Sequence, residues 1–135
     1  MFAWPWSRST CDAIATELGP DWPFPARAVQ RFELGTDFVR VRLAIEACAD
    51  PFPASAGFHP WFRRWLGRGG AAELRFSAAA RCLCDADGIP TGELGPVGQG
   101  PWDDCFVGVV AEPVLRWPGV LRLAVASAAT HWVVY

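Results

Sequence analysis

Two histidines stand in 135 residues, and one of them, His59, sits in the stiff, aromatic stretch Gly57-Phe58-His59-Pro60-Trp61-Phe62. Pro60 sets its own φ and confines His59 to extended backbone, while Gly57 frees the chain just before. A histidine held this way beside Phe58, Trp61 and Phe62 has a defined orientation. An imidazole is the side chain best suited to donate or accept a proton at neutral pH. Flat rings beside it suit a sugar, whose C–H face packs on an aromatic while its hydroxyls bond outward. The alternative is a core histidine satisfied by a backbone carbonyl.

The second chemically loaded stretch is Trp102-Asp103-Asp104-Cys105-Phe106. Adjacent strand residues face opposite ways, so one carboxylate at most points into a given pocket, flanked by Trp102 and Phe106. A carboxylate accepts two hydroxyl hydrogen bonds at once, which suits a sugar; the alternative is a turn aspartate capping backbone amides. Cys82 and Cys84, two apart on a strand, face the same way, but Cys11, Cys48 and Cys105 are scattered, so no metal site is expected. Arg63-Arg64, between Trp61 and Trp65, read as solvated arginines rather than a phosphate clamp. His131 reads as structural or surface.

Strands must position these residues. Val39, Val41, Leu43 and Ile45 alternate with Arg40, Arg42, Ala44 and Glu46, the period of two of a half-buried strand. Ala28 to Leu34 alternates as well, and Gly35-Thr36-Asp37 turns the chain between them, predicting a β-hairpin. Arg81 to Cys84 runs into the turn Asp85-Ala86-Asp87-Gly88, with Gly88 at positive φ. Ile89 to Leu94 then reads as a turn leading into a strand. Val114 to Trp117 meets Pro118-Gly119 and then the alternating run Val120 to Val125. His131 to Tyr135 is a last strand. The segment Asp12 to Leu18 reads as a short helix or equally as a strand. Strands at this spacing, with 12 prolines and 13 glycines, predict an all-β antiparallel sandwich or barrel in one domain over residues 1–135.

The composition narrows the class. At 52% hydrophobic and 19% charged, with a net charge of −2, the chain fits a globular protein without the basic surplus of a nucleic-acid partner. All twelve basic residues are arginine. No apolar run nears the ~18 residues of a membrane span, and MFAWPWSRST lacks the charged start and apolar core of a leader. An odd count of five cysteines then fits reduced thiols in a cytoplasm.

The ordered succession Trp22-Pro23-Phe24-Pro25-Ala26, Pro53-Ala54-Ser55-Ala56-Gly57-Phe58-His59-Pro60-Trp61-Phe62, Asp87-Gly88-Ile89-Pro90-Thr91-Gly92-Glu93 and Trp102-Asp103-Asp104-Cys105-Phe106 resembles the aldose 1-epimerases, the galactose mutarotase-like proteins. The likeness runs from about Trp22 to Tyr135. It implies a β-sandwich that is part of a larger supersandwich, and a cofactor-free isomerase of free hexoses. A carboxylate base removes the anomeric proton and a histidine acid protonates the ring oxygen. The ring opens, the C1–C2 bond rotates, and the ring recloses on either face. By the resemblance His59 is the acid and Asp103 a sugar-binding aspartate, separated from Phe106 by two intervening residues; the flat rings of Trp61 and Trp102 beside them are read as substrate-binding aromatics. The family also carries an N-terminal arginine, usually a second histidine, and a C-terminal catalytic glutamate. Neither Glu93 nor Glu112 sits in a matching motif, so the resemblance leaves the base unassigned and predicts a fragment truncated at both ends. A non-catalytic carbohydrate-binding module is the alternative. Unpaired edges of a truncated sandwich predict self-association or completion of the sheet by another chain.

Overall fold

The computed structural model describes residues 9–19 and 21–135; the N-terminal stretch MFAWPWSRST lies mostly outside them, as does the side chain of Cys11. Among the described residues there is no helix, and the strands form three antiparallel sheets, consistent with a β-sandwich and without a closed barrel. The chain divides into two compact units, residues 1–59 and 60–135.

The first unit is a meander of β1 (Ser9–Glu17), β2 (Ala26–Leu34) and β3 (Val39–Ala47), in that spatial order. The segment Asp12 to Leu18, read as helix or strand, belongs almost wholly to β1 and is extended. Its backbone groups pair with β2 from Ser9↔Leu34 to Glu17↔Arg27, across an irregularity between Cys11 and Ile14. Seven residues are too few for a helix to hold itself together, whereas a ready-made sheet edge satisfies the whole ladder.

The β2–β3 hairpin keeps the expected alternation. Phe32 stands opposite Val41, Gln30 opposite Leu43 and Ala28 opposite Ile45 on one face. The other face carries charge: Arg27 stands opposite Glu46 and Glu33 opposite Arg40. Both pairs close as ion pairs, at 2.6 Å and 2.5 Å. They are solvent-exposed, so each contributes about 0.2–1 kcal/mol and serves mainly to fix the register. Beyond the hairpin, Phe24 and Phe52 stack with centroids 4.8 Å apart, and Trp22 meets both edge-on.

The second unit holds two sheets. Strands β5 (Ala78–Cys84), β6 (Pro90–Gly95), β7 (Asp104–Val109) and β10 (His131–Val134) make one, in the order β10-β7-β5-β6. Strands β4 (Glu73–Arg75), β8 (Val114–Trp117) and β9 (Leu121–Ala124) make the other, in the order β4-β8-β9. Two glycine turns set the hairpins. Gly119 has φ of 73° and follows Pro118, and Val120 N–H bonds the Trp117 carbonyl at 3.0 Å, a type II turn. Gly88 has φ of 81°; its N–H bonds the Asp85 carbonyl, and the Asp85 carboxylate accepts from the amides of Asp87 and Ile89. A short aspartate side chain thus replaces the hydrogen bonds that the turn takes from the ladder.

The core of this unit has two anchors. Phe106 is fully buried because β7 is an inner strand, covered on either side by β10 and β5. Its ring meets Phe76 at 5.0 Å and Trp102 at 5.9 Å, both edge-on, the arrangement favoured by the ring quadrupoles. Trp117 is the anchor of the other sheet, 3% exposed, and its indole N–H donates to the Arg63 carbonyl at 2.9 Å.

Candidate functional site

The residues singled out above fall in both units. His59 ends the first unit, in an irregular, exposed segment, where the proline after it and the glycine before it keep the chain out of any ladder. Trp61, Trp102 and Asp103 belong to the second unit. There the two tryptophans join different ring clusters. Trp61 is 77% exposed and meets Tyr135, just past β10, edge-on at 5.2 Å. Trp102 is half-buried and packs on Phe76 and Phe106.

The paired aspartates part as strand geometry requires. Asp103 lies just ahead of β7 and is exposed. Asp104 opens the strand, is half-buried, and accepts a hydrogen bond from the Arg81 guanidinium at 3.2 Å. Sequence reasoning missed this Arg81–Asp104 pair. Its partners are far apart along the chain and no motif links them. Only the β5–β7 register, which sets Arg81 opposite Phe106, brings the guanidinium diagonally within reach of Asp104. The side chains keep 37% and 26% of their exposure, so the pair is a partly solvated contact rather than a buried one.

Two donors in this corner, Arg81 Nε and Trp102 Nε1, are buried and meet no acceptor in the protein. Such a donor costs about 1–3 kcal/mol. Trp102, Asp104 and Arg81 therefore gather an aromatic face, a carboxylate acceptor and N–H donors at one end of β7, while Asp103, next in the chain, stands apart from them and exposed. That mixture of groups is what a polyhydroxylated ligand engages.

A separate groove of about 740 Å³ opens elsewhere in the second unit, lined among others by Gly108, Glu112, Pro113, Val125, His131 and Trp132. His131 Nδ1 lies 2.9 Å from the Thr130 hydroxyl. The groove includes neither His59, Trp61, Trp102 nor Asp103. It brings together the second histidine and Glu112, two residues with no motif to mark them. Among the described residues no cluster of histidine, cysteine and carboxylate side chains has the arrangement to hold a metal ion.

No family model, no curated protein and no solved structure matches this chain.

Proposed function

We propose that this chain is an aldose 1-epimerase-like domain that handles free hexoses, with His59 as the acid and Asp103 as a sugar ligand. The observation that carries the reading is the ordered set of motifs ending in Gly57-Phe58-His59-Pro60-Trp61-Phe62, Ile89-Pro90-Thr91-Gly92-Glu93 and Trp102-Asp103-Asp104-Cys105-Phe106. The all-β fold and the exposure of His59 and Asp103 support it.

In the proposed reaction the His59 imidazolium gives its proton to the ring oxygen as a base takes the proton of the anomeric hydroxyl. The C1–O5 bond breaks, leaving an open-chain aldehyde whose C1–C2 bond rotates before the reverse steps close the ring. A carboxylate or a water molecule takes the anomeric proton. Paired transfer lowers the barrier because neither a full oxyanion nor a full oxocarbenium ion has to form alone. Binding uses Asp103 for hydroxyls and Trp61 and Trp102 for the C–H faces of the sugar. We place this activity in the cytoplasm, in keeping with the unpaired thiols of Cys48, Cys82, Cys84 and Cys105. Among the described residues no helix is long and apolar enough to cross a membrane.

A non-catalytic sugar-binding domain is the second reading, favoured by the exposed rings of Trp61 and Trp65. Polarimetry of fresh α-D-glucose and α-D-galactose separates the two. The enzyme reading expects mutarotation faster than buffer, lost in His59→Gln and weakened in Asp103→Asn. A rate equal to buffer, from protein shown to be folded, rejects catalysis. Hexose-dependent quenching of tryptophan fluorescence in the same sample would then favour binding alone.

A further inference from the structure

We propose that Cys82 and Cys105 form a reversible cross-strand disulfide by exchange with a low-molecular-weight disulfide of the glutathione type. This inference is independent of the sugar chemistry proposed above. It rests on register. Arg81 of β5 pairs with Phe106 of β7, so the next step along these antiparallel strands sets Cys82 opposite Cys105. Two further ladders agree: Cys105 stands opposite Val133 of β10, and Cys82 opposite Leu94 of β6. The row Val133, Cys105, Cys82, Leu94 thus crosses the sheet on the face away from Phe106.

Directly opposed residues have Cα atoms about 4.5–5.5 Å apart, inside the range a disulfide spans. Their Cβ atoms, roughly 4.5–5.5 Å apart, need to close by at most about 1 Å. Both thiols are free and half-buried. Val133 and Leu94, which flank them, are 62% and 57% exposed, so the row is open to a small reagent. Burial and the neighbouring Cys82 thiol, in that order, raise the pKa of Cys105.

With Cys82 as the attacking thiol, the exchange runs in two steps. The Cys82 thiolate attacks one sulfur of the small disulfide, forming a mixed disulfide and releasing one small thiolate. The Cys105 thiol, giving up its proton to solvent, attacks the Cys82 sulfur and displaces the second small thiolate. Two protein thiols and one small disulfide become one protein disulfide and two small thiols, with two electrons passing to the reagent. The bond ties the start of β7, next to Asp103, to the middle of the sheet. Cys84 lies beyond the irregularity that interrupts the β5–β6 ladder after Cys82, and it is not part of the row.

The test equilibrates the purified chain in mixtures of oxidised and reduced glutathione, blocks free thiols with an alkylating agent, and maps peptides by mass spectrometry without reduction. The expected result is a Cys82–Cys105 link that loses two hydrogens, disappears when excess reduced glutathione is restored, and persists in Cys84→Ser. Native protein is compared with protein in denaturant, where pairing among the five cysteines becomes mixed. Links through Cys48, Cys11 or Cys84 in the native sample overturn the proposal, as does a stable glutathione adduct on Cys82 with Cys105 left alkylated. The wild-type map decides by itself, without any variant that has to fold.

Discussion

Phe106→Ala should be among the most damaging truncations available to the second unit, because its ring is fully buried and makes edge contacts with both Phe76 and Trp102. Removing a buried phenylalanine ring from water contributes about 1.5–3 kcal/mol, and each edge-on aromatic pair about 0.5–1.5 kcal/mol more. These contributions together match the ~3–5 kcal/mol usual for Phe→Ala in a core. Set against a typical stability of about 5–15 kcal/mol, the loss unfolds a large fraction of a marginal domain. The assay is urea unfolding followed by far-ultraviolet circular dichroism and by tryptophan fluorescence, with the slope compared between variants. Phe106→Leu, which keeps apolar volume but no ring, should recover part of the loss. Phe32→Ala is the control: it stands on a sheet face of the first unit, 37% exposed, and should cost about 1–2 kcal/mol. A Phe106→Ala cost below about 1 kcal/mol, or one no greater than that of Phe32→Ala, would refute the placing of the core at the inner strand.

Further outcomes follow from particular contacts. Gly119→Ala meets open space but keeps φ at 73°, so it should cost about 1–2 kcal/mol through backbone strain alone, read as a shift in the urea midpoint. Asp104→Ala leaves the Arg81 guanidinium without its carboxylate; because both side chains stay partly solvated, thermal melts should show a loss of about 1 kcal/mol or less. Cys105 has its pKa raised by burial and by Cys82, so the native thiol holds its proton more tightly than the unfolded one. Stability from this group is present below the ordinary thiol pKa of about 8.5 and is lost as pH rises through the raised native value. Urea midpoints measured from neutral to alkaline pH should therefore fall less in Cys105→Ala than in the wild type. Closing the Cys82–Cys105 disulfide ties off a loop of roughly two dozen residues, which should stabilise the oxidised chain by about 3 kcal/mol. Paired melts with and without reductant check this, and equal melting temperatures would contradict it.

Much of the strand architecture is legible in the residues themselves. The alternation from Val39 to Ile45 specifies a strand with one apolar face, and the structure pairs it as the hairpin that Gly35-Thr36-Asp37 requires. Pro118-Gly119 and Asp87-Gly88 announce their turns because few residues other than glycine tolerate the positive φ those turns demand. Such signals are local: they depend on a few neighbouring residues and a period of two. Asp12 to Leu18 was ambiguous for the same reason in reverse. Its own pattern is weak, and its strand form comes from the ladder that β2 offers.

The candidate site was legible only by type. The sequence marks His59 by its stiff aromatic frame and Asp103 by its place before Phe106, but it cannot tell which of two adjacent carboxylates turns inward. Tertiary structure decided that Asp104 faces Arg81, that Trp61 and Trp102 join separate ring clusters, and that Glu112 and His131 share a groove. It also decided that Cys82 meets Cys105 rather than Cys84. Each of these depends on which strands lie side by side and in what register. Local propensity does not determine that choice. It is set by burying Phe106 on an inner strand between β5 and β10, which pairs residues distant in the chain and so decides which side chains share a face.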